Sequence, residues 1–225
     1  MNRAVFFIIP LLLLSSYSSP VENSLKIPEC EIIIDDFHDG IGPGWTNKSF
    51  KGMTQYTWVN ENGRKYVRAT SSNAASGLIY KIKYDPAKYP YLTWTWMADK
   101  IIAGGDATIK SKDDYSARIY IVFPTLLFWN TKVINYIWAN KLPKGAEIPS
   151  PYMKDSIMIS VESGPDNTGK WVTETRNLYE DYVQAFGEKP PKTGAIAIMT
   201  DTDDTGQKTS AGYGPIGVCS RYPEK

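Results

Sequence analysis

The sequence predicts an all-β domain, a β-sandwich of jelly-roll type. Three observations carry that expectation. Short runs rich in β-branched and aromatic residues recur along the chain: "RKYVRAT", "GLIYKIK", "YLTWTWM", "SARIYIVF", "SIMISVE", "WVTETR" and "GAIAIMT". Stretches that favour turns lie between them, such as "NENGRK", "AGGDAT" and "GPDNTGK". No strand–helix alternation or internal repeat breaks the pattern, which argues against the parallel α/β classes.

The chain opens on Arg3, an apolar run from Ala4 to Leu14, and then small polar residues. This is the layout of a secretory signal peptide. A membrane-spanning helix needs about 20 apolar residues, and the run is shorter and contains Pro10. The expected organisation is a signal peptide at 1–19, a linker at 20–29 and one domain at 30–222, with a periplasmic or extracellular destination. No other segment is apolar and long enough to span a bilayer. Removing 19 of the 225 residues leaves 206, which suits one β domain. The formal net charge of the whole chain is +1, and cleavage would remove Arg3. A near-neutral domain of this kind is not expected to attract nucleic acid or an anionic membrane.

The two cysteines bracket the expected domain. Cys30 precedes "EIIIDDF" and Cys219 ends "YGPIGVC". If these strands pair antiparallel, the start of the first meets the end of the last. An exported chain with two such cysteines is expected to bridge them.

Strand side chains alternate between faces. In "SARIYIVF", Ala117, Ile119, Ile121 and Phe123 share the core side, which leaves Arg118 and Tyr120 opposite. In "SIMISVE", Ile157, Ile159 and Val161 face the core and Glu162 faces away. "WVTETR" puts Val172, Glu174 and Arg176 together, and Glu174 is assigned to an outer face. "AIAIM" is apolar on both faces and reads as a central, covered strand. Arg118, Tyr120 and Glu162 are therefore expected to form a polar ligand face, joined by Trp45 from the Gly-rich "HDGIGPGW". A solvated face with cross-strand ion pairs is the commoner alternative.

One helix is expected near 178–186. "NLYEDYVQAFG" sets Leu178, Tyr182 and Phe186 on one face, with Asn177 as N-cap, Glu180 three residues on and Gly187 as the stop. The apolar segment 124–138, "PTLLFWNTKVINYIW", reads as a lid or as a docking patch for a protein partner.

The stretch "TDTDDTG" follows the central strand. Asp201, Asp203, Thr205 and Gly206 resemble the first half of a calcium loop, but no bidentate Glu closes it. Calcium would need a further ligand, and Asp35, Asp36 and Asp39 are the candidates if the first and last strands are neighbours, Asp36 foremost. A self-capped polar turn is the alternative. Paired carboxylates offer acid–base chemistry, with Glu162 and Glu174, or Asp113 and Asp114, as candidate catalytic residues. The only histidine, His38, sits in a polar turn, and no Gly-x-Ser-x-Gly elbow, Cys-x-x-Cys pair or dinucleotide fingerprint is present.

The segments "DDYSARIYIVF", "NYIWANKLPKG", "SPY", "WVTETRNLYEDYVQAFGEKPP" and "AIAIMTDTDDTG" together resemble the domain of unknown function 3047 family of exported bacterial proteins. The likeness runs from about Asp36 to Val218. A looser resemblance, at "DFHDGIGPGW", is to galactose-binding-like jelly rolls of carbohydrate-binding modules. These resemblances imply an exported envelope protein that binds a carbohydrate or similar polar ligand. A polysaccharide hydrolase or lyase, or a protein-interaction module, are the alternatives.

Overall fold

A computed structural model of the chain describes residues 24–125 and 130–223. The expected signal peptide therefore lies outside the described residues. Residues 24–31 carry no regular secondary structure.

Two sheets face one another. The first is ordered β11 (Val172–Asn177), β6 (Tyr91–Ala98), β13 (Lys208–Cys219), β4 (Arg64–Ser72) and β3 (Gln55–Glu61), with β1 (Ile32–Asp35) also on β13. The second is ordered β2 (Trp45–Lys51), β5 (Ala75–Lys81), β12 (Ala195–Asp201), β7 (Arg118–Phe123), β8 (Lys132–Ala139), β10 (Ser156–Ser163) and β9 (Glu147–Pro149). The fold is an all-β sandwich, as the strand pattern predicts. Its pairings are antiparallel except β8 with β10, which run parallel.

The core lies between the sheets. From β7 it takes Ile119, Ile121 and Phe123, and from β12 Ile196 and Ile198. Across the gap stand Trp94 and Trp96 of β6, and Trp94 stacks on Tyr136 with ring centroids 5.1 Å apart. The central strand "AIAIM" is β12, flanked by β5 and β7. The one α-helix among the described residues, α1 (Leu178–Phe186), matches its expected span. The Asn177 side chain accepts from Glu180 N at 3.2 Å, and Gly187 ends the helix at φ 70°, a conformation glycine adopts without steric cost. Tyr182 of α1 packs on Phe123 at 4.6 Å.

The antiparallel β1–β13 pair sets Ile32 opposite Val218 and brings the cysteines together. Cys30 and Cys219 form a disulfide with Cα atoms 4.5 Å apart.

The apolar stretch after Pro124 differs from expectation. Lys132–Ala139 is β8, an interior strand between β7 and β10, buried along almost its whole length. Its apolar character serves the core, not an exposed patch. The expected partner site would have to rest on 126–129, which lie outside the described residues.

Candidate functional site

The outer face of the seven-stranded sheet carries a cleft of about 420 Å³. Small residues make room for it: Ala75 and Gly77 on β5 and Ala197 on β12 all line it. Its floor is completed by Arg118 and Tyr120 of β7 and by Asn135 of β8. The register explains this grouping, since Tyr120 lies opposite both Ala197 and Asn135. Phe50 of β2 and Tyr152 of the β9–β10 loop also line the cleft, 61% and 54% exposed.

Arg118 organises the polar part. The residue is 6% exposed, and its guanidinium donates to Asp201 Oδ2 and lies 3.8 Å from Asp113. It sits over the rings of Tyr115 at 4.9 Å and Tyr120 at 5.2 Å. Burial opposes its charge, but the field of Asp201, Tyr120 and Asp113 outweighs burial and holds its pKa above the usual value. For Asp201 the balance runs the other way. Burial pushes its carboxyl well above the ordinary carboxylate range despite Arg118, and Asp114 and Asp113 push it further. Asp113 is raised for the same first reason, although Arg118 and the Tyr115 hydroxyl, which donates to it at 2.7 Å, pull it down.

Asp114 does not work beside Asp113. Its carboxylate accepts from the backbone N–H of Asp204 at 3.2 Å and of Thr205 at 2.6 Å, which pins the β12–β13 loop. Asp114, Asp201 and Asp203 thereby gather, each offering an oxygen within 4.8 Å of the others. The fifth acid of the region, Asp204, is also engaged. It accepts from the Tyr152 hydroxyl at 2.6 Å, which ties the β9–β10 loop to the β12–β13 loop.

The expected ligand face is therefore realised in part. Arg118 and Tyr120 line the cleft, but Glu162 and Trp45 do not. Glu162 is displaced by a β-bulge: the β8–β10 register shifts between Ser160 and Glu162 and sets Glu162 opposite the core residue Trp138. One extra residue reverses the face on which every later side chain lies. Trp45 is a β2 residue, 7% exposed, packed on Phe37 and Tyr80 with its indole N–H donating to Asp35 at 2.7 Å. Asp36 is also elsewhere. Asp35 pairs with Ile216, in the second half of β13, whereas the acidic loop precedes the first half. Asp36 is exposed and accepts from His38 N at 2.9 Å.

Glu162 and Glu174 do meet, at the edge of the sandwich. Glu174 of β11 lies opposite Trp94 and so faces the core side, not the outer face. Burial pushes Glu174 up to about 7, Lys144 opposes this, and the neighbouring Glu162 charge adds to it. Lys144 also donates to Glu162. The Asn167 amide donates to the other Glu162 oxygen at 3.0 Å, so both oxygens of that carboxylate are engaged within the protein. Asp113 and Asp114 are held separately, the first by the Tyr115 hydroxyl and the second by backbone N–H groups.

Two cleft features could be sensed from sequence. Asn135 is the polar residue within the apolar "VINYIW", and Phe50 stands among polar neighbours in "NKSFKG". Tyr152 gave no signal beyond its place in a loop.

The family model described as protein of unknown function (DUF3047) matches residues 43–217. The chain belongs to this family. No curated protein matches the chain. Similar solved structures include the family 11 carbohydrate-binding module of the cellulosomal cellulase Lic26A-Cel5E of Clostridium thermocellum. It is 10% identical at a TM-score of 0.47, over 85% of this chain and 95% of the module. The xyloglucanase domain of NopAA from Sinorhizobium fredii is 10% identical at 0.43, over 79% of this chain and 94% of that domain. The carbohydrate recognition domain of Emp46p, in its potassium-bound form, is 12% identical at 0.44, over 85% and 97%. The likeness concerns the path of the chain alone.

Proposed function

We propose that the protein binds a carbohydrate in the cleft on the outer face of the seven-stranded sheet. The observation that carries this reading is the pairing of exposed rings with a mostly apolar cleft that holds a few polar groups in its floor. Phe50 and Tyr152 present aromatic surface at a cleft whose floor holds Arg118, Tyr120 and Asn135. Sugars offer apolar C–H faces to rings and hydroxyls to such polar groups. The volume falls within the about 300–1,000 Å³ usual for small-ligand sites. Arg118 Nε and Asn135 Oδ1 are buried at this floor without a protein hydrogen-bond partner, so its polar capacity is not fully spent within the protein.

The disulfide supports an exported protein, since such bonds persist in oxidising compartments. No helix among the described residues is long and apolar enough to cross a membrane. A glycan array probed with the purified protein tests the reading. Binding with the glycans left intact supports it. Release of new reducing ends would replace it with a hydrolase, and silence across all glycans would remove it.

A further inference from the structure

We infer that Asp114, Asp201 and Asp203 hold a calcium ion at the end of the cleft. Their offered oxygens lie within 4.8 Å of one another. Ca–O bonds of about 2.3–2.6 Å set opposite ligands about 4.6–5.2 Å apart, so three oxygens at this spacing fit around one such ion. Magnesium demands near-ideal octahedral geometry and gives up its waters reluctantly, so a cluster of protein carboxylates suits it less.

A second observation separates this cluster from an ordinary acidic loop. Asp201 is 1% exposed, and its Oδ1 has no hydrogen-bond partner at all. Its other oxygen is taken by Arg118, which leaves Oδ1 for the cluster. A buried carboxylate oxygen without a donor costs the fold its lost hydration. A cation bound there removes that cost. The Thr205 hydroxyl, also buried and unpartnered, is the next oxygen available in the same loop.

Charge points the same way. Asp113, Asp114, Asp201, Asp203 and Asp204 converge here. The cations paired with them are Arg118, on Asp113 and Asp201, and Lys51, 3.9 Å from Asp203. Both cysteines are committed to the disulfide, and the cluster contains no histidine, so its donors are hard oxygens. That set suits calcium over zinc.

The test uses the purified protein with CaCl2 alone. Extracellular calcium modules bind with Kd of ~10⁻⁴–10⁻³ M. At about 100-fold above Kd, melting should rise by ~5–10 °C relative to excess chelator. MgCl2 at equal concentration should give a smaller rise. Asp203→Asn is the diagnostic variant, because Asp203 is only partly buried and the change keeps its shape. It should melt like the parent in chelator and lose the calcium-induced rise. Identical melting with calcium and chelator, together with no bound calcium in a native mass spectrum, would overturn the inference. So would an undiminished rise in Asp203→Asn, which would put the ion elsewhere, or an equal rise with magnesium.

Discussion

Arg118 of β7 and Asp201 of β12 are hydrogen-bonded beneath the cleft, both almost wholly buried. Two adjacent strands thus expend a buried ion pair on the outer side of a sheet. Replacing both by apolar residues would stabilise many folds as well or better. The pair stands at the cleft floor, beside Asp113 and Tyr120, where the proposed site would use it.

Arg118→Met should destabilise the protein by about 3–5 kcal/mol, because it leaves Asp201 and Asp113 buried without their cation. Adding Asp201→Asn to that variant should recover part of the loss. Urea denaturation of both variants measures this. A loss below about 1 kcal/mol for Arg118→Met would mean that the pair is far better solvated than its burial implies.

The edge pair gives a pH signature. The Glu174 pKa is raised in the fold, to about 7, chiefly by burial. Its protonated form is therefore favoured in the folded state. The associated stability is complete below the unfolded value near 4.5 and is lost as pH rises through about 7. Glu174→Gln should remove that loss and stabilise the protein at pH 8 by up to about 3 kcal/mol. Melting curves from about pH 4 to 8 check this, and a wild type equally stable across that range would contradict it.

Breaking the disulfide should be costly. Cys30 and Cys219 are 189 residues apart in sequence, and the chain-entropy model gives an upper figure of about 5 kcal/mol for so long a loop. Cys219→Ser should lower the denaturation midpoint to match that of the reduced wild type. An unchanged midpoint would show that the β1–β13 pairing holds the terminus by itself.

The strands and the helix were legible because each rests on local pattern, and the disulfide because the chain has only two cysteines to pair. Alternation in "SARIYIVF" assigns Arg118 and Tyr120 to the outer face, and the structure agrees. The same logic failed at Glu162, where a bulge inserts one residue and reverses the face. Alternation also cannot say which side of an edge strand meets the core, so Glu174 was placed on the wrong side of β11. Asp36 shows another limit. Pairing of β1 with β13 was foreseen, but only the register shows that Asp36 lies beside the wrong half of a twelve-residue strand. Tyr152 reaches Asp204 through a contact between two loops 52 residues apart, which no local signal encodes.

The central claim is that the cleft between Phe50 and Tyr152 binds a carbohydrate. Titration calorimetry of the best oligosaccharide from a glycan array against wild type, Phe50→Ala and Tyr152→Ala tests it most directly. Both rings are exposed, so their loss should leave melting nearly unchanged. Each variant should bind about 10-fold more weakly, the equivalent of about 1.4 kcal/mol per lost ring contact. Affinity equal to wild type in both variants would place the sugar elsewhere and contradict the account.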